Sequence, residues 1–269
     1  MTEMTLSPSI PAPAPTPAPM PEPAVPQPWK FWGTTAWTAV AVVLAFAVQL
    51  AVFVVVLGWM EIPEDISEAD FETYTSHGLV VALAAIAVVP AEFGVIWLAV
   101  RLARMRLADY LAIARPRWKD VLVGLAVVLV LLPISDLSAW LLDKPLTPPF
   151  VIAAYTTARD TGSLPLFALA LIVAAPLAEE TLFRGFMYRG LAASRVGVIG
   201  AILIPTLIWT LMHQQYDAFY MSYVFVLGLI FGWLRWRSGT IVTPMIIHAV
   251  INAGALAQAA FMVEVMGAS

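Results

Sequence analysis

The sequence contains no cysteine, which excludes disulfides, thiolate metal sites and a cysteine nucleophile. Charge is also scarce. Asp, Glu, Lys and Arg make up 12% of the chain, against roughly 25% in a soluble globular protein. The 14 Lys and Arg residues are scattered and form no domain-wide basic face, so no nucleic-acid partner is expected. Neither Gly-x-Ser-x-Gly nor His-Glu-x-x-His occurs, which removes the usual sequence support for a serine hydrolase or a zinc peptidase. The opening residues have neither the basic nor the apolar segment of a signal peptide.

What remains is apolar. Hydrophobic residues form 61% of the chain and the mean hydropathy is +0.86. Ten prolines fall between Pro8 and Pro28, mostly alternating with alanine. Residues 1–30 therefore read as a disordered, polyproline-like cytoplasmic tail, a spacer that cannot bury a core.

From Phe31 onward, apolar runs alternate with short polar breaks. A hydrocarbon core of ~30 Å needs roughly 17–25 helical residues, and the runs at 34–59, 78–100, 120–142, 164–189, 197–213, 218–234 and 240–262 qualify. The stretch 145–163 holds Pro145, Pro148, Pro149, Arg159 and Asp160 and reads as an interfacial or re-entrant piece. The expected fold is all-α: a polytopic membrane bundle of seven helices, or eight if that stretch crosses, around a polar intramembrane site. Residues 31–163 would be N-terminal membrane helices and 164–262 the functional core.

Charge orients the bundle. Six acidic residues and no basic one lie between Glu61 and Glu72, whereas the next loop carries Arg101, Arg104, Arg106, Arg115, Arg117 and Lys119. The positive-inside rule then puts the N-terminus in the cytoplasm and, after seven spans, the C-terminus outside. Of the 14 basic residues only Lys144 and Arg159 fall on the outer side.

The polar residues inside the spans cost the most and say the most. Glu179, Glu180 and Arg184 lie within the run 164–189, and a carboxylate near the bilayer centre costs about 2.5–3.5 kcal/mol on insertion scales. On an α-helix Glu180 and Arg184 are four apart on one face, in the favourable order. Glu179, rotated by about 100°, would be left free to act as a general base. Two of the three histidines, His213 and His248, also fall in later runs, and Asn252 lies one turn after His248. Two chemistries suit this set. Glu179 and an imidazole can deprotonate water, while the second imidazole and the Asn252 amide stabilise an oxyanion. Alternatively, Glu179, His213 and His248 can ligate a catalytic zinc with an open position.

These motifs, Glu179-Glu180-x-x-x-Arg184, Trp209-x-x-x-His213 and His248-x-x-x-Asn252, resemble the CPBP family of intramembrane proteases. That family takes in the CaaX prenyl endopeptidases of the Rce1 type and bacterial bacteriocin-immunity (Abi) proteins. The resemblance covers about residues 165–257 and departs at Trp209, where the family usually has Phe. It implies an intramembrane endopeptidase in which Glu179 and His213 activate water and His248 and Asn252 hold the oxyanion, a glutamate-dependent route favoured here over the zinc-dependent one. Eukaryotic members cut prenylated CaaX proteins. The compact chain with its Ala-Pro tail suggests a bacterial inner-membrane protein, whose substrate is expected to be some membrane-associated protein or peptide. The alternatives are a non-catalytic immunity or scaffold protein and, drawing on Glu92 and Asp136, a proton-coupled transporter. The second lacks the inverted repeat of broken helices expected of one.

Overall fold

The computed structural model describes residues 26–60 and 68–268. Most of the Pro-rich tail and of the acidic loop lie outside the described residues. Every regular element among the described residues is helical. In chain order they are α1 (Phe31–Trp59), α2 (Glu68–Thr75), α3 (Gly78–Leu102), α4 (Leu107–Leu111), α5 (Trp118–Leu141), α6 (Pro149–Asp160), α7 (Leu164–Ala192), α8 (Gly197–Leu211), α9 (Ala218–Ser238) and α10 (Val242–Glu264).

Helices suit this composition because a chain in hydrocarbon must satisfy its backbone groups internally. Six helices, α1, α3, α5, α7, α9 and α10, are long and apolar enough to cross a membrane. With the shorter α8 they correspond to the seven expected runs, and the chain is a polytopic helical membrane protein. The Pro-broken stretch forms α6, whose 12 residues reach only about 18 Å. It packs on α3 and α10. Large apolar side chains such as Val43, Phe46, Leu129 and Leu132 remain on the outside of the bundle, as a lipid-facing surface requires.

Ends are set by local chemistry. Asp217 caps α9, its side chain accepting from the backbone N–H of Phe219 and Tyr220. Gly239 stops the same helix at φ 75°, a left-handed conformation that suits glycine. The sequence placed His213 inside the fifth span. The structure ends α8 at Leu211 and puts His213 in the turn that follows, because Gln214, Gln215 and Asp217 make that end polar.

Burial locates the centre. In the most apolar window of α7, 50% of residues are buried, against 17–39% for the other long helices. Helix α7 is wrapped by α1, α3, α8, α9 and α10, so the paired glutamates lie at the axis of the bundle.

Candidate active site

Helix α7 is not the uninterrupted α-helix the sequence suggested. It widens into π-helical turns at Ala170–Ala174 and Glu180–Met187, separated by an α-helical piece, Ala175–Glu179. Such turns break the regular ladder and concentrate at functional sites. Pro176 helps to explain the first. Ala175 donates to the Ala170 carbonyl, five residues back. Pro176 follows and has no N–H to give Leu171 in the same way. The Asn252 side-chain amide fills that gap, donating to the Leu171 carbonyl at 2.7 Å. In the second turn the Arg184 carbonyl accepts from Arg235 Nε at 3.0 Å. A side chain from a neighbouring helix thus serves one carbonyl in each widened turn.

The Glu180–Arg184 pair forms as the spacing indicated. Arg184 Nη1 donates to Glu180 Oε1 at 3.0 Å, with side-chain exposures of 2% and 0%. Arg184 Nη2 reaches the Gly228 carbonyl at 3.3 Å, and the guanidinium lies 4.6 Å from the Trp209 ring centre and 5.2 Å from that of Phe231. The pair is therefore boxed in by aromatic faces, which favour a cation electrostatically. A Cβ on Gly228 would sit 2.6 Å from Thr206 Cγ2, so glycine permits the close approach of α9 to α8.

Glu180, which the sequence offered both as the partner of Arg184 and as a member of the catalytic set, has a second contact. Glu180 Oε1 also takes His248 Nδ1 at 3.0 Å. Glu179 Oε2 stands 3.9 Å from His248 Nε2. Both carboxylates thus meet one imidazole, the first by hydrogen bond and the second across a gap too wide for one. With the carboxylate as acceptor, Nδ1 carries a proton and the ring is fixed with Nε2 towards Glu179. The imidazole is further held by stacking on Phe231, centroids 4.9 Å apart.

Trp209 organises the other side. Its indole Nε1 donates to Glu179 Oε2 at 2.6 Å, a bond that a phenylalanine at this position has no atom to make. Its ring centre is 4.8 Å from that of His213 and 5.7 Å from that of His248. His213 Nδ1 lies 2.7 Å from the Trp209 carbonyl. A carbonyl only accepts, so Nδ1 bears the proton and Nε2 is left as an acceptor. Glu179, His248, Trp209 and His213 are brought together around the indole, with Glu180 and Arg184 behind them.

Asn252 was read as an oxyanion donor beside His248, yet one of its amide N–H groups is engaged by Leu171. For zinc, no group of three or more His, Asp or Glu side chains among the described residues is arranged to hold a metal ion.

A cavity of about 120 Å³ opens on this centre, lined by Glu179, Leu182, Phe183 and Met212 on one side and by α1 and α3 on the other. The latter contribute Gln49 and Glu92. In the sequence Glu92 supports only the transporter alternative; its position beside Glu179 depends on the packing of α3 against α7, which no local pattern records. Asp136, also left over, is met by Gln258 Nε2 at 3.4 Å.

Residues 161–254 match the family described as type II CAAX prenyl endopeptidase, Rce1-like, a segment that contains every motif residue from Glu179 to Asn252. A curated Escherichia coli protein, described only as an uncharacterized 24.3 kDa protein, is 36% identical over 86 residues, covering 31% of this chain and 39% of that one. No solved structure matches. The carboxylate–imidazole centre is therefore built by the segment that is similar to Rce1-like type II CAAX prenyl endopeptidases, residues 161–254.

Proposed function

We propose that this protein is an intramembrane endopeptidase that hydrolyses a peptide bond in a membrane-associated protein or peptide, using Glu179 as the base that activates water. The observation that carries the reading is the placement of Glu179 Oε2, held by Trp209 Nε1 at 2.6 Å and facing His248 Nε2 at 3.9 Å. A water between the two can give its proton to Glu179 as its oxygen attacks the carbonyl carbon. His248 donates Nδ1–H to Glu180, and in its imidazolium form it has an Nε2–H to offer the developing oxyanion. His213, with Nε2 free to accept, is the second base of the set. Glu180 and Arg184 orient His248 and balance charge. The second N–H of the Asn252 amide is available to assist at the oxyanion.

The N-terminus lies in the cytoplasm and the protein resides in a bacterial inner membrane, a reading supported by the basic residues between α3 and α5. The test uses purified protein in detergent and a library of membrane-associated peptides, including prenylated CaaX peptides, with and without a chelator. Cleavage that survives the chelator and is lost in Glu179→Ala supports the glutamate route. Loss on chelation, restored by zinc, overturns it, and absence of cleavage across the library removes the endopeptidase reading.

A further inference from the structure

Glu92 is a buried acidic side chain that the reaction above does not use, and unlike the buried Asp120, which pairs with Arg117 and Arg237, it lines the cavity of the site. It belongs to α3, outside the family-matched segment 161–254. The residue is 4% exposed, and its Oε1 has no hydrogen-bond partner. A buried carboxyl oxygen without a donor is costly to keep, and a structural role would be expected to supply one. The side chain instead lines the same cavity as Glu179, with Gln49 as the other polar group on the α1–α3 wall.

Depth agrees with this. Ten residues separate Glu92 from the end of α3 at Leu102, about 15 Å of helix. Thirteen separate Glu179 from the end of α7 at Ala192, up to about 20 Å at α-helical rise. The carboxyl groups face the cavity from opposite walls at similar depth. Glu179 is anchored by Trp209 towards His248, whereas Glu92 Oε1 has no hydrogen-bond donor among the described residues.

We infer that Glu92 is a catalytic acid of this site, giving its proton to the nitrogen that departs when the peptide bond breaks. The inference rests on the endopeptidase reading. Hydrolysis needs two proton transfers: one from water as the C–O bond forms, and one to nitrogen as the C–N bond breaks. Glu179 takes the first. Amide nitrogen is a poor leaving group as an anion, and the cavity offers one other carboxyl to protonate it. The products are a carboxylic acid and an amine, with Glu92 left as carboxylate and Glu179 as acid. Passage of that proton from Glu179 to Glu92 restores both.

The test compares two probes on full-length protein in detergent. One is a prenylated peptide ending in a CaaX sequence; the other is its thioester counterpart at the scissile position. A thiolate, with a free-thiol pKa of ~8.5, departs without a proton, so thioester cleavage has little need of an acid. Glu92→Gln should lower amide turnover by about 100-fold or more and leave thioester turnover close to wild type, while Glu92→Asp recovers part of the amide rate. Glu179→Gln should lose both. The thioester rate within each variant reports whether the site is intact. Equal loss of both activities in Glu92→Gln, or no loss of either, overturns the assignment of Glu92 alone. Failure of the wild-type protein on both probes overturns the endopeptidase reading and this inference with it.

Discussion

The indole N–H of Trp209 donates to Glu179 Oε2 at 2.6 Å, and the backbone carbonyl of the same tryptophan holds His213 Nδ1 at 2.7 Å. One residue therefore fixes both groups assigned to water activation. The short motif from Trp209 to His213 is a mechanical unit: the helix end positions the imidazole, and the ring edge positions the carboxylate.

Trp209→Phe retains the ring and removes the donor. Hydrogen bonds to charged groups contribute about 1.5–3 kcal/mol. If that bond aligns Glu179, kcat should fall by roughly ten- to a hundredfold, with KM little changed and thermal stability close to wild type. A variant with unchanged kcat would show that Glu179 needs no such anchor.

The Glu180–Arg184 pair is buried on both sides, so its value lies in pairing. Removing one partner of a buried pair typically costs about 3–5 kcal/mol, because the other charge is stranded. Arg184→Leu should therefore unfold markedly earlier in a denaturant titration in detergent micelles. Glu180→Leu combined with Arg184→Leu should be more stable than Arg184→Leu alone, although its activity is lost with the support of His248. A destabilisation by Arg184→Leu of less than about 1 kcal/mol would place the pair among the weak surface type.

Asp217 gives a prediction in pH. Its carboxyl is held below the ordinary value by the hydrogen bond from Lys144 Nζ at 2.8 Å and by the backbone N–H groups of Tyr220 and Phe219. A depressed folded-state value means that the group stabilises the fold above the unfolded value, about 3.9, and that this contribution disappears as pH falls through the lower folded one. Thermal unfolding followed from pH 5 to pH 2 should show a component of acid loss below about pH 4 that is absent in Asp217→Asn. Identical acid profiles would mean that the cap and its ion pair contribute nothing measurable.

The lengths and order of the spans were legible because hydrocarbon thickness selects for run length directly, and α1, α3 and α10 each lie within a few residues of the run that announced them. The Glu180–Arg184 contact was legible because side chains four apart stay neighbours even in a widened turn. The π-helical turns were not. They shift hydrogen bonding by one residue and leave composition unchanged, with Pro176 the single hint. Glu180 and Glu179 lie 3.0 and 3.9 Å from the two nitrogens of His248, a shared partner on another helix that the spacing within one helix does not announce. The Trp209–Glu179 bond spans 30 residues, and the shared cavity of Glu92 and Glu179 joins α3 to α7. Both arise from helix packing, which periodicity within one helix cannot encode.

Asn252 and Pro176 make the sharpest test of that packing. The Leu171 carbonyl lacks its expected backbone donor because residue 176 is proline, and the Asn252 amide supplies one at 2.7 Å. Asn252→Ala leaves a partly buried acceptor without that donor, at a cost of up to about 1–3 kcal/mol. Pro176→Ala restores a backbone N–H that can serve Leu171. In that background Asn252→Ala should therefore cost less than half as much, a coupling well within the ~0.5–3 kcal/mol seen for residues sharing a network. Denaturant unfolding of the four proteins in the cycle measures it, and additive losses would refute the shared carbonyl. Activity separates the two roles of the asparagine. If its second N–H serves the oxyanion, the double variant regains stability but not turnover; if Asn252 only completes the helix, turnover returns with the fold.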